Sequence, residues 1–163
     1  MGAAPYVTGA IVNGVYTDAR RFRPGQKYFD EMGNEFVYIK YYEGAGSVAG
    51  TAGLFVALAD PTKEPWEATA DLDDTDVLVN KPVGQLQATL ADGEFGFAHS
   101  KGLNKIAITS DGSVTRDGVC VLSTGDGTII LWASGQRVPV GTSRIVDVGT
   151  AIAIGSFFIN CPV

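Results

Sequence analysis

Few residues in this chain could carry out chemistry, and their spacing argues against most of it. There is one histidine, His99, within Ala98-His99-Ser100-Lys101-Gly102. Hydrolytic triads need a group that takes a proton near neutral pH, and His supplies it most often. His99 is expected in a turn or at a strand end, as a surface or structural hydrogen-bonding group. No Gly-x-Ser-x-Gly elbow and no Walker-type loop occurs. Gly44-x-Gly46-x-x-x-Gly50 is not the dinucleotide fingerprint, because its last interval is too long. Cys120 and Cys161 lack zinc-like spacing, and one His with two Cys cannot assemble a common zinc site without carboxylates. Both cysteines are expected as buried free thiols, although sequence does not exclude that they pair.

Carboxylates are the remaining candidates. Residues 60–76 hold Asp60, Glu64, Glu67, Asp71, Asp73, Asp74 and Asp76 against Lys63. The run Asp71–Asp76 could ligate calcium, but it lacks the glycine and distal Glu of an EF-hand loop. A solvated loop is expected, with a structural cation site as the alternative. A glycosidase would need two carboxylates tuned by burial or by neighbours, and sequence alone leaves open long-range pairs such as Glu94 with Asp147. The reading is therefore no enzyme, no catalytic residues, no cofactor and no metal.

A basic cluster offers binding rather than catalysis. Arg20, Arg21, Arg23 and Lys27 surround Pro24-Gly25 in a chain of net charge -6. Residues 1–30 have weak periodicity and are expected to form an extended N-terminal arm. It is either a solvated tail or a segment that orders on a negatively charged partner. Under the second reading it is largely disordered in the free protein. Its contacts would be Arg20, Arg21, Arg23 and Lys27, with Tyr6 and Phe22 as apolar anchors.

The elements that would position these groups are strands. Glycine makes up 21 of 163 residues, about 13%, against roughly 7% on average. The glycines are scattered between short apolar runs, which indicates turns and bulges. Phe36 to Tyr42 is dense in aromatic and β-branched residues and follows the turn Met32-Gly33-Asn34-Glu35. Phe36 and Tyr38 share one face, and Val37, Ile39 and Tyr41 share the other. Such a strand is buried on both sides, or meets another subunit on one. Leu54–Leu58 is expected as a strand in preference to a short helix. From residue 83 onward, turns such as Asp92-Gly93, Asp111-Gly112, Asp117-Gly118 and Asp126-Gly127 recur between apolar runs of about four to six. That spacing predicts an all-β fold, a β-sandwich or small tulip-like β-barrel, with residues 31–163 as a single β domain after the arm. Period-two alternation predicts Val119, Val121, Ile129, Leu131, Ile152 and Ile154 in the core.

Charged residues are only 18%, against about 25% on average, which suggests either surface covered by a partner or crowded β structure. The acidic balance argues against nucleic-acid binding. No stretch is long and apolar enough to span a membrane, and no secretory signal or myristoylation site is expected, since Tyr6 stands where Ser or Thr would be needed. The expected place of synthesis is a reducing cytoplasm.

Three stretches resemble the small decoration (cement) proteins of tailed-phage capsids. Phe36-Val37-Tyr38-Ile39-Lys40 after a Gly-Asn turn is similar to their early strand. Val83-Gly84 to Leu90, followed by Asp92-Gly93-Glu94-Phe95-Gly96-Phe97-Ala98, resembles their hairpin. Gly112, Gly118 and the run Ile145 to Ile154, with Gly149-Thr150-Ala151, resemble their closing β run. The resemblance implies a virion protein on the capsid surface, made in the host cytoplasm. Its partner would be the major capsid protein, and it would be a homo-oligomer, a trimer in preference. A tail, fibre or neck β-domain with a receptor- or glycan-binding role is the alternative.

Overall fold

Short apolar runs bounded by turns leave the chain few ways to pair its backbone other than as a sheet. In the computed structural model, the described residues are 10–17, 21–60, 66–73, 78–132, 138–144 and 151–162. They hold twelve strands and no helix. In chain order these are β1 (Lys27–Phe29), β2 (Glu35–Tyr41), β3 (Phe55–Leu58), β4 (Glu67–Thr69), β5 (Leu78–Leu86) and β6 (Phe95–Leu103). There follow β7 (Ile108–Thr109), β8 (Val119–Leu122), β9 (Ile129–Leu131), β10 (Pro139–Ser143), β11 (Ala151–Ile152) and β12 (Phe157–Asn160).

Strands β2, β4, β3, β5 and β6 form a closed ring, because β6 also pairs with β2. The all-β expectation is met by a five-stranded barrel with extra strands. Closure removes the unpaired edges of an open sheet. From β6 the sheet continues through β12, β10 and β8 to β9, as a second layer. β6 is the strand that both parts share, and His99 lies within it rather than in a turn.

Alternation sorts the side chains into three clusters. Val37, Ile39 and Tyr41 of β2 join Val56, Val83, Leu86 and Ala98 in the barrel cluster. On β3 the parity opposite to Val56 carries Phe55 and Ala57, which pack with Cys120, Leu122, Ile129, Val140, Phe157 and Ile159 of the second layer. The third cluster is Phe36, Tyr38 and Phe97, covered by Ala10, Val12, Tyr16, Phe22 and Tyr28. Both faces of β2 are therefore buried, and the second face is covered by the chain's own N-terminal residues.

Two of the expected core positions are corrected. Ile129 and Ile152 are buried and Leu131 packs against the core, but Val119 and Ile154 are exposed. On β8 the core-facing parity belongs to Cys120 and Leu122, because Cys120 pairs with Gly141 and with Leu131. Val121 is covered, yet it lies on the opposite face. Ile154 sits in the turn closed by the Ser156 N–H to Ala153 O bond, where strand alternation no longer applies. The expected run Ile145–Val148 lies outside the described residues.

Candidate interaction surface

His99 is fully buried within β6. Its ring stacks on Phe36 at 4.6 Å between centroids, and Nε2 donates to the Lys101 carbonyl at 2.8 Å. Nδ1 has no partner among the described residues. Burial, reinforced by the nearby Lys105 charge, lowers its pKa to about 4. A neutral imidazole buried in this way supports packing against Phe36. Burial raises the Cys120 thiol to about 11 and pushes the Cys161 thiol further up. Both are free and buried, as expected, and neither is a thiolate.

The acidic stretch is not uniformly solvated. Asp71 is buried, and its Oδ2 accepts from the Gly46 N–H at 2.7 Å. Gly44 has a φ of +75°, and a Cβ there would overlap the Asp71 carboxylate, so Gly44 lets the backbone close over that side chain. The Gly127 N–H to Ala70 O bond brings Asp126 to the same place. One carboxylate oxygen from each of Asp71, Asp73 and Asp126 lies within 4.8 Å of the others. Oxygen ligands of this kind suit a hard cation, but Asp71 is already engaged by backbone. Asp74, Asp76 and Asp147 lie outside the described residues. Glu94 accepts from the Ala91 N–H and closes a turn.

Three of the N-terminal candidates, Arg21, Phe22 and Lys27, make contacts within the molecule. Phe22 meets Tyr16, Tyr38 and Phe97 at centroid distances of 5.5, 5.2 and 5.7 Å. The Arg21 guanidinium lies over the Tyr16 and Phe22 rings. Lys27 pairs with Glu35 at 3.1 Å, and its strand is part of the sheet. Arg23 is exposed. Tyr6 and Arg20 lie outside the described residues. The described part of the expected arm packs on its own body, where it covers Phe36, Tyr38 and Phe97.

A different face is left bare. Leu103 on β6 pairs with Phe158 on β12, Phe158 with Thr142 on β10, and Thr142 with Val119 on β8. The Trp132 N–H bonds to the Val119 carbonyl at 2.8 Å and extends the row. Cross-strand partners share a face, so these side chains line up across the outer surface. Phe158 is 48% exposed, Trp132 47% and Val119 37%. Beside Phe158 the row reaches a groove of about 670 Å³ lined by Met32, Leu103, Ile154 and Phe158, with Lys101 and Lys105. Exposed aromatic side chains such as Phe158 and Trp132 are enriched at protein interfaces.

Sequence reasoning missed this face. A signal was present in Phe157-Phe158-Ile159, where apolar residues occupy both parities of one strand. Only one parity can face the core. No family model, curated protein or solved structure matches this chain.

Proposed function

We propose that this chain is a virion structural protein that binds the outer surface of a tailed-phage capsid and stabilises the lattice. The observation that carries this reading is the row Leu103, Phe158, Thr142, Val119 and Trp132 across the second layer, in which Phe158, Val119 and Trp132 are exposed. A rigid sheet face of this kind has little conformational entropy to lose on docking. The resemblance of its strands to decoration proteins supports the choice of partner, the major capsid protein. Trimer formation belongs to the same proposal.

The test is co-sedimentation of purified protein with expanded phage heads stripped of decoration proteins. The expected result is saturable binding in a fixed ratio to capsomers, weakened by Phe158→Asp. Absence of binding at saturating protein would overturn the proposal. Binding to cell-surface glycans instead would favour a tail or fibre component.

A further inference from the structure

The groove at one end of the apolar row combines two chemistries. Its walls are Met32, Leu103, Ile154 and Phe158, and its charged lining residues are both lysines. Met32 is 80% exposed and Ile154 66%, so neither is covered within the chain. Gly102, at φ +122°, forms part of the lining, and a Cβ there would overlap Asn34 Oδ1, which keeps the turn before β2 pressed against β6. The groove is thus built by the junction of the Asp30–Asn34 turn, the end of β6 and the turn before β12.

The two lysines differ. Lys105 pairs with Asp30 Oδ2 and sits 5.4 Å from the centre of the Phe36 ring. Hydrogen bonds from Lys105 and Asn34 outweigh the burial of Asp30 and hold its carboxyl down at about 2. Lys105 is therefore neutralised within the fold. Lys101 has no ion pair among the described residues. It shares the outer face with Leu103, since its cross-strand partner Asn160 is exposed as Phe158 is. Its other cross-strand partner is Glu35, whose Oε1 is already engaged by Lys27 and Ser100. Among the described residues Lys101 is therefore a cation with no ion pair of its own beside an apolar trough.

We infer that this groove docks an extended, acidic segment of a partner protein, with apolar side chains seated between Met32, Ile154 and Phe158 and an adjacent carboxylate paired to Lys101. The size suits several residues of a peptide, since pockets of roughly 300–1,000 Å³ hold drug-sized ligands. An apolar side chain covers the exposed walls, and covering them strips water from Lys101. An unpaired ammonium then resists burial unless an anion accompanies the apolar group. A neutral or basic peptide would leave that charge desolvated and alone. The inference rests on the capsid reading only for which protein carries the segment.

The test uses the full chain and two fluorescein-labelled hexapeptides read by anisotropy at low salt. One has the order Glu-Leu-Phe-Glu-Leu-Glu, and in the other each Glu is replaced by Lys. The acidic probe is expected to bind at least about ten-fold more tightly, within the range of one interfacial charge pair, and added salt should narrow the gap. Lys101→Met should bring the two probes together while leaving the melting temperature unchanged. Lys101→Glu should reverse the preference, and Phe158→Asp should abolish binding of both. Equal binding of the two probes, an unchanged preference in Lys101→Met, or no binding of either probe at about a millimolar, the weakest affinity worth scoring, would overturn the inference. So would self-association that Phe158→Asp dissolves, since a second copy would then occupy the groove. Head binding by a protein that fails the peptide test would overturn the groove alone. A protein that passes it without binding heads would overturn the capsid reading alone.

Discussion

The outer face of β2 and the outer face of the second layer begin from the same pattern and end differently. Both are strand faces with large apolar side chains pointing away from the neighbouring core. On β2 these are Phe36 and Tyr38, both fully buried under Tyr16, Phe22 and Tyr28. On the second layer they are Phe158, Val119 and Trp132, all left exposed. The chain covers the first face with Ala10, Val12, Tyr16, Phe22 and Tyr28 and offers no described residue to cover the second. The contrast separates two uses of one pattern. A face closed by its own chain contributes to stability. A face left open contributes little to stability and is free to bind.

The largest expected effect lies on the closed face. Phe97→Ala should lower unfolding free energy by about 3–5 kcal/mol, the usual cost of deleting a fully buried aromatic ring. Chemical denaturation would read it, and a loss below about 1 kcal/mol, the mean for all point mutants, would break the distinction.

The second effect also reports on the closed face, through His99 packed on Phe36. Burial holds the folded-state pKa near 4, against 6.5 for an ordinary imidazole. Between those values the unfolded chain binds a proton that the folded chain does not. Stability should be full at neutral pH, fall as pH drops through that window, and level off below it, a loss of up to about 3 kcal/mol. Urea unfolding at neutral pH and near the lower limit measures this. A stability that stayed flat across the window would mean that His99 is not sealed.

Phe22→Ala probes the covering segment itself. The ring is half-buried, so the expected loss is about 1.5–3 kcal/mol, with increased binding of a hydrophobic dye as Tyr38 and Phe97 are uncovered. This outcome differs from that of a solvated tail, in which the substitution would change nothing.

How much of this was legible in the residues differs between the two faces. The two-sided burial of β2 could be read from Phe36-Val37-Tyr38-Ile39, because both parities carry large apolar groups. Which element would supply the cover could not be read. The sequence around Tyr16, Phe22 and Tyr28 has no period, and their placement comes from contacts with rings that lie further along the chain. The basic cluster suggested a partner site for the same reason: Lys27 shows its bond to Glu35, and Arg21 its seat over Tyr16 and Phe22, only after folding. On β8, alternation was legible but its phase was not, since Val119-Cys120-Val121-Leu122 is apolar at every position. The cross-strand pairing with Gly141 decides it. The meeting of Asp126 with Asp71 and Asp73 is a property of topology and had no local signal.

The smallest stability effect is expected on the open face. Phe158→Ala should change unfolding free energy by no more than about 0.5 kcal/mol, as for most surface substitutions. A loss comparable to that of Phe97→Ala would show that the second layer's outer face is core, and would remove the contrast.

Under the proposed capsid role, the open face rather than the basic N-terminal cluster would make the contact. It is tested most directly by head binding of two variants whose fold is first checked by circular dichroism. One carries Phe158→Asp on the open face, and the other carries Arg21→Ala with Arg23→Ala on the closed side. The first is expected to lose saturable binding to stripped heads, and the second to keep the wild-type ratio. Retained binding by Phe158→Asp together with loss in the arginine variant would contradict it.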